Sequence, residues 1–345
     1  MTKVGDLHNF GQAVRCSYAP NGDSYFEKPR TLFWEHLFFG IDSPLKAYLP
    51  EEIRSLFGLE IEFRGGGQIG RSKRVLHTGP DETSASDYFQ FGILLGYSYA
   101  FGLQDLHVEN VVKTKAGLQV IDAEVVLTKF TLPHESLLLP YRDTPFEKSA
   151  LSLLAPGPIL PVESVTAILN GFSSALTSIA SQAHPLADVI ETQINKTEIP
   201  IRVLLRDTFR YRDWRTASND PALLPEEREQ LERGDIPYFF KFPGGAKLFF
   251  YTAENLTFSE VHLPKKFEEG VKAIGVAPAD LITHERIMGT LFPSGTLFLL
   301  RKLLPSIWTG DIACNGFNAV ITSEKISVCS AVGNFSATRT RAIKP

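Results

Sequence analysis

Between Asp105 and Glu124 the chain reads DLHVENVVKTKAGLQVIDAE, with two apolar segments, VENVV and LQVI, flanking the turn-like KTKAG. Short apolar runs around a polar, glycine-containing break predict a β-hairpin. Nearer the start, GDLHNFGQAVRCSYAPNGDSYFEKPR reads as a strand, a turn at Asn21 and Gly22, and a second strand. That strand ends at Lys28, because Pro29 has no N–H with which to continue a ladder. Apolar positions at helical spacing occupy residues 31–41, and residues 87–101 are apolar enough for a buried helix. Further helical patterns cover 162–179 and 186–195, with Pro185 at a helix start, and the charged PEEREQLERG from Pro225. The stretch from Glu124 to about Pro161 is rich in Pro and Leu and reads as irregular connections, whereas 317–338 alternates as a terminal hairpin. The mixture predicts an α+β protein.

The hairpin concentrates candidate chemistry. Asp105 and Asn110 fall in the loop entering its first strand, and Asp122 and Glu124 at the end of its second, so Asp122 returns to the neighbourhood of Asn110. An Asp five residues before an Asn, followed across a hairpin by another Asp, is the layout of a kinase catalytic loop and its metal-binding Asp. One carboxylate accepts the proton of an attacking hydroxyl, while an amide oxygen and a second carboxylate hold Mg2+ on the phosphates of ATP. Lys28, on a strand behind a glycine-containing hairpin, stands where kinases keep the cation that grips phosphate. The helix at 31–41 packs beneath it, with Glu35 expected on the exposed face rather than paired with Lys28. RGGGQIGR, from Arg64 to Arg71, lacks the G-K-[ST] end of a Walker loop and the G-x-G-x-x-G spacing, and reads as a basic connection between lobes.

Composition narrows the class. A chain of 345 residues is long enough for one large core or two lobes. A net charge of −4 gives no general electrostatic reason to bind nucleic acid. No stretch is apolar enough for a membrane span or a secretory signal, so a cytoplasmic protein without membrane partners is expected. Cys16, Cys314 and Cys329 are odd in number and widely spaced, which suggests neither a disulfide framework nor a CxxC zinc site.

DLH-x-EN followed by V-I-D-A-E resembles the dehydratase domain of class II (LanM-type) lanthipeptide synthetases, whose fold is similar to that of lipid kinases. Other strings share the resemblance in the same order. Asp6, His8 and Gly11 are similar to the family's D-x-H…G element, and EKPR, from Glu27 to Arg30, to its YKPR. R-V-L-L-R-D-T-x-x-Y, from Arg202 to Tyr211, resembles R-x-x-x-R-x-T-x-x-Y, and GDIPYF, from Gly234, is also family-like but reads as a structural turn without chemistry. The resemblance implies that Lys28 contacts ATP phosphate with Asp6 and His8 near the phosphate-covering turn, and that Arg202 and Thr208 serve phosphate elimination. Guanidinium forks and hydroxyls do suit a departing phosphate. The matching strings span about two thirds of the chain. The chain opens almost at the D-x-H element, so leader recognition by the family's upstream region is not expected. No Cys-His dipeptide accompanies Cys314 and Cys329, so thioether formation is not expected either.

The expected architecture is a two-lobed, protein/lipid-kinase-like fold, with a minimal N-lobe in residues 1–85 and a larger, mostly helical C-lobe in 86–345. The expected activity uses ATP and Mg2+ to phosphorylate a Ser/Thr hydroxyl and then eliminates phosphate to leave a dehydroamino acid. Asp105 acts on the hydroxyl, and His107 orients it or handles a proton. Asn110, Asp122 and Glu124 form the metal set, and His8 assists near the phosphates. The partners would be a Ser/Thr-containing peptide or small molecule and a separate cyclase or recognition protein. Two other readings stand beside this one: a kinase that stops at the phosphorylated product, and a catalytically idle nucleotide- or peptide-binding module.

Overall fold

The computed structural model describes residues 2–64, 69–77, 83–140, 145–196, 198–206, 210, 211, 214, 222–254 and 257–339. Its first sheet has five antiparallel strands in the order β1-β2-β3-β5-β4. They are β1 (Thr2–His8), β2 (Gln12–Tyr18), β3 (Ser24–Lys28), β4 (Ile61–Arg64) and β5 (Ile69–Lys73). The stretch expected to be one strand before Asn21 is therefore two. Asn9, Phe10 and Gly11 take φ of 45°, 68° and 74°, three left-handed residues in succession that reverse the chain between β1 and β2. RGGGQIGR is not a connection between lobes, as expected from its composition. Arg64 pairs with Ile69, so its two ends are the facing strands of a hairpin within this sheet.

Between β3 and β4 lie helices α1 (Phe33–Phe39) and α2 (Glu51–Arg54). The long helix α3 (Ala85–Phe101) starts at a capping box: the Ser84 hydroxyl accepts from Asp87 N–H, and the Asp87 carboxylate from Ser84 N–H. It ends at Gly102, whose φ of +64° and close approach to Thr128 leave no room for a side chain. α3 packs along α4 (Val162–Ser181), and α5 (Ala183–Ile194) follows. The α3–α4 contact is backbone against backbone. A Cβ on Gly92 would lie 2.1 Å from Ile168 O, and one on Gly171 2.0 Å from Phe89 O. Gly171→Ala gains about 1 kcal/mol of helix propensity but drives the helices apart, for an expected net loss of about 1–3 kcal/mol. Urea unfolding checks this, and an unchanged midpoint would refute it.

The hairpin forms as its pattern dictates, from β6 (Val111–Thr114) and β7 (Gly117–Val120), with Val111 opposite Val120. The described residues of 124–161 carry only bridges and short 3-10 turns, the longest of four residues. A second antiparallel sheet, in the order β11-β10-β9-β8, joins distant segments: β8 (Ile201–Val203), β9 (Phe239–Lys241), β10 (Leu248–Tyr251) and β11 (Phe258–Val261). Helix α6 (Pro225–Glu232) lies between β8 and β9 in sequence, and α7 (Lys265–Lys272) follows β11. Lys241 is 2% exposed and donates to Val271 O and Ile274 O, a cation placed on carbonyls at the C-terminal end of α7.

The expected terminal hairpin is part of a four-stranded meander: β12 (Gly310–Cys314), β13 (Phe317–Ile321), β14 (Lys325–Ser330) and β15 (Gly333–Thr338). With 39% helix, 24% strand and every sheet pairing antiparallel, the protein is α+β. One apolar core runs from Trp34 of α1 through α3 and α4 to Val328 of β14. A small second cluster, including Tyr211, Leu231 and Ile236, sits around α6. Among the described residues no helix is long and apolar enough to cross a membrane.

Candidate active site

Lys28 is the last residue of β3 and is only 6% exposed. Its ammonium lies 3.1 Å from Asp122 Oδ2 and 3.3 Å from Glu35 Oε1, and donates to Ile121 O at 3.0 Å. Glu35 is thus not on an exposed helix face, as expected, but 1% exposed and paired. α1 is apolar on nearly every side, with Trp34, Leu37, Phe38 and Phe39 all buried, so its polar residue has to find a partner inside.

That partner set includes the last residue of EKPR, to which no role in the site was assigned. Arg30, just beyond Pro29, places Nη2 2.6 Å from both Glu35 Oε1 and Asp122 Oδ1, and Nε 3.0 Å from Glu124 Oε2. Glu124 also accepts from Arg202 Nη1 at 3.2 Å and from the Tyr238 hydroxyl at 3.0 Å. Three cations, Lys28, Arg30 and Arg202, therefore interlock with three carboxylates, Glu35, Asp122 and Glu124. Burial alone would raise Asp122, but Lys28 and Arg30 outweigh it and hold the carboxyl well below its usual range. Glu124 is lowered likewise, burial being overcome by Arg30 and Arg202. Burial works against the Arg30 charge too, yet Glu124, Glu35 and Asp122 raise it further.

The sign of this linkage sets an acid limit. Carboxylates whose folded values are depressed contribute stability that is complete above their ordinary values, 3.8 for Asp122 and 4.5 for Glu124. It is lost as pH falls from there through the folded values. Wild-type unfolding free energy should therefore change little from these groups between pH 7 and about 5, then drop below pH ~4.5. Asp122→Asn should flatten that drop. Parallel acid limbs for the two proteins in chemical denaturation would show that Asp122 is not linked to folding.

The loop before the hairpin brings in the second group. Asp105 has φ of +65°, a left-handed conformation that a residue with a side chain keeps only where its surroundings demand it. The Asn110 amide donates to Asp105 O at 2.7 Å and fixes that shape. His107 Nδ1 accepts from Glu109 N–H at 3.2 Å, and its Nε2 lies 3.4 Å from Asn110 Nδ2. Nε2 faces Asp105 Oδ1 at 3.6 Å.

The β1–β2 turn closes the site from above. His8 Nδ1 donates to Ile236 O at 2.9 Å, and Ile236 N–H to Leu7 O at 2.7 Å. The N–H groups of Phe10 and Gly11, which point outward from the left-handed turn, donate to Asp235 at 2.8 and 2.9 Å. Arg233 Nε holds the same carboxylate at 2.9 Å, and its guanidinium lies 4.0 Å over the Phe10 ring. GDIPYF is therefore more than the structural turn expected of it, since Asp235 anchors the β1–β2 turn and Tyr238 enters the site.

These groups surround one cleft of about 210 Å3. Of the residues singled out from sequence, His8, Lys28, Asp105, His107, Asn110, Asp122, Glu124 and Arg202 line it. Asp6 belongs to β1, but its side chain lies outside the described residues, as does all of Thr208. Arg202 Nε is buried without a hydrogen-bond partner among the described residues. Arg206, from the same basic run, instead holds Glu227 of α6 at 2.7 Å, together with the Tyr211 hydroxyl. Among the described residues no three His, Cys, Asp or Glu side chains stand close enough to hold a metal alone. The set does fit an Mg2+ that arrives with a nucleotide, because such ions take one or two protein ligands plus phosphate oxygens and water. Asn110, with its Nδ2 committed, presents Oδ1 as its acceptor, and Asp122 uses two of roughly four lone-pair directions on Lys28 and Arg30. Both Glu124 oxygens are engaged by arginine or tyrosine.

Comparison with protein-family models and with curated proteins returns no match.

Proposed function

We propose that this protein phosphorylates a Ser or Thr hydroxyl with ATP and then eliminates phosphate to form a dehydroamino acid. In this reading its first 85 residues act as the nucleotide-binding part of a two-lobed, kinase-like molecule. The observation that carries the reading is the convergence of the Lys28–Glu35 pair, Asp105, Asp122 and Arg202 on one cleft from separate stretches of chain.

Hydroxide is a poor leaving group, so the first step makes a phosphate ester. Lys28, fixed by Glu35, holds the transferring phosphate, and Asp105 takes the hydroxyl proton as the Oγ–P bond forms and the bond between the γ-phosphorus and the ADP oxygen breaks, releasing ADP. His107, whose Nε2 lies 3.6 Å from Asp105 Oδ1, orients that carboxylate or handles its proton. Mg2+, held by Asn110 and Asp122, would neutralise phosphate charge. In the second step the α-proton passes to a base and the Cβ–O bond breaks. Arg202, still charged because Glu124 and Asp105 more than offset its burial, receives the departing dianion, with Thr208 as its expected companion. Glu124 and Tyr238 keep the Arg202 guanidinium in place.

The test is intact-mass analysis of a Ser/Thr-containing peptide incubated with the chain, ATP and Mg2+. Loss of water supports the proposal. Stable phosphate addition by the wild type would replace it with a simple kinase, and absence of nucleotide binding in calorimetry would leave a binding module.

A further inference from the structure

A second cavity, a trough of about 620 Å3, lies beside the charged cleft and shares Arg30, Glu124 and Tyr238 with it as a common wall. One flank is Trp34 of α1 and Phe63 of β4, and the other is Phe240, Tyr251 and Phe258 of the β8–β11 sheet. The flanks are built rather than loose. Phe240 stacks on Tyr251 with centroids 4.6 Å apart and meets Phe258 edge-on at 5.5 Å. Trp34 is pinned by its Nε1–H to Pro200 O at 2.8 Å. Phe63 and Phe258 nonetheless stay 41% and 44% exposed. An exposed aromatic surface bordering a polar cleft marks a place where something apolar binds.

We propose that this trough takes the residues next to the reacting Ser or Thr of a peptide, seating an aromatic or branched apolar side chain against Phe240, Tyr251 and Phe258. The inference rests on the reading above, in which the hydroxyl reaches Asp105. Successive Cα atoms are 3.8 Å apart, so a peptide passing the shared Arg30–Tyr238 wall carries its next residues into the trough. Charge favours the same occupant. Arg30 is the trough's one cation among the described residues, already committed to three carboxylates, while Glu198 stands on its rim and Glu124 on its wall. That lining repels a polyphosphate and accepts a neutral or basic peptide. A nucleotide base has apolar contact elsewhere, because Ala13 and Val14 of β2 line the cleft beside Lys28 and take no part in the trough.

Fluorescence anisotropy with labelled hexapeptides tests this on the full chain. Each peptide carries one Ser, flanked by Phe in one and by Gly in the other. The Phe peptide should bind about tenfold more tightly, the effect of burying one aromatic side chain. Phe258→Ser, a change at a half-exposed position, should erase most of that preference while the affinity for Mg2+–ATP is unchanged. Equal affinity of wild type for the two peptides overturns the proposal. So does a Phe258→Ser variant that keeps its peptide preference but loses ATP affinity, which would make the trough the seat of the base. Peptide preference without any mass change on adding ATP supports the trough while removing the dehydration reading, so the two fail separately.

Discussion

Replacing Arg202 with alanine is expected to make the phosphorylated peptide accumulate where the wild type yields the dehydrated one. Arg202 is 8% exposed, its Nη1 is 3.2 Å from Glu124, and it touches neither Lys28 nor Asp122 among the described contacts. Its loss removes a charged donor from the leaving phosphate without dismantling the phosphate grip. A lost charged hydrogen bond in a closed site costs on the order of 2–4 kcal/mol, roughly 30- to 1000-fold in the rate of the step it serves. Thr208→Ala should act in the same direction if the two residues share the departing phosphate. Lys28→Ala and Asp105→Ala should leave the peptide unmodified, because both act before any ester exists. Time-resolved mass spectrometry separates the cases. If all four variants merely slow dehydration and no phosphate adduct appears, Arg202 has no separate part in elimination.

Arg30→Met is expected to lower stability by about 3–5 kcal/mol, the usual cost of leaving a buried carboxylate without its cation. Arg30 is the sole described link that touches all three carboxylates, and Glu35 is 1% exposed. Arg30→Lys should recover only part of this, because one ammonium lacks the planar fork that reaches Glu35, Asp122 and Glu124 together. The pH dependence should also invert in sign. Without Arg30 the carboxyls that remain buried lose a cation and rise, so the variant should be relatively less handicapped at pH 5 than at pH 7. Urea titrations at both pH values check this. A loss below about 1 kcal/mol would mean that Lys28 and Arg202 alone balance the cluster.

The hairpin at 111–120 was legible because strand alternation and turn chemistry act over a few residues, and the position of Lys28 because Pro29 ends the ladder locally. Glu35 carried a signal that the first expectation did not use: a helix apolar on nearly all sides leaves no solvent face for a lone acid. Arg30 and Tyr238 stand inside the family-like strings EKPR and GDIPYF, but neither string tells where its side chain points. Arg30 lies beyond the strand, where no periodicity assigns a direction, and Tyr238 meets Glu124 across 114 residues. The pairing of Arg64 with Ile69 was not legible, because a glycine-rich composition does not state which segments it joins. The second sheet was invisible for a similar reason, since β8 and β9 are three-residue strands separated by more than thirty positions.

The fastening of the β1–β2 turn to Asp235 and Ile236 has a consequence for the order in which the molecule is made. Leu7, His8, Phe10 and Gly11 leave the ribosome well ahead of their partners, which follow some 225 residues later. The first sheet's strand pairings are complete by Lys73, but the roof of the cleft waits until Asp235 and Ile236 have been synthesised. During vectorial synthesis the early elements form with the left-handed turn unsupported, and the late segment secures it only as the second sheet assembles. A nascent chain stalled before residue 233 should therefore show fast amide exchange at Phe10 and Gly11, and one stalled after Tyr238 has emerged should protect them.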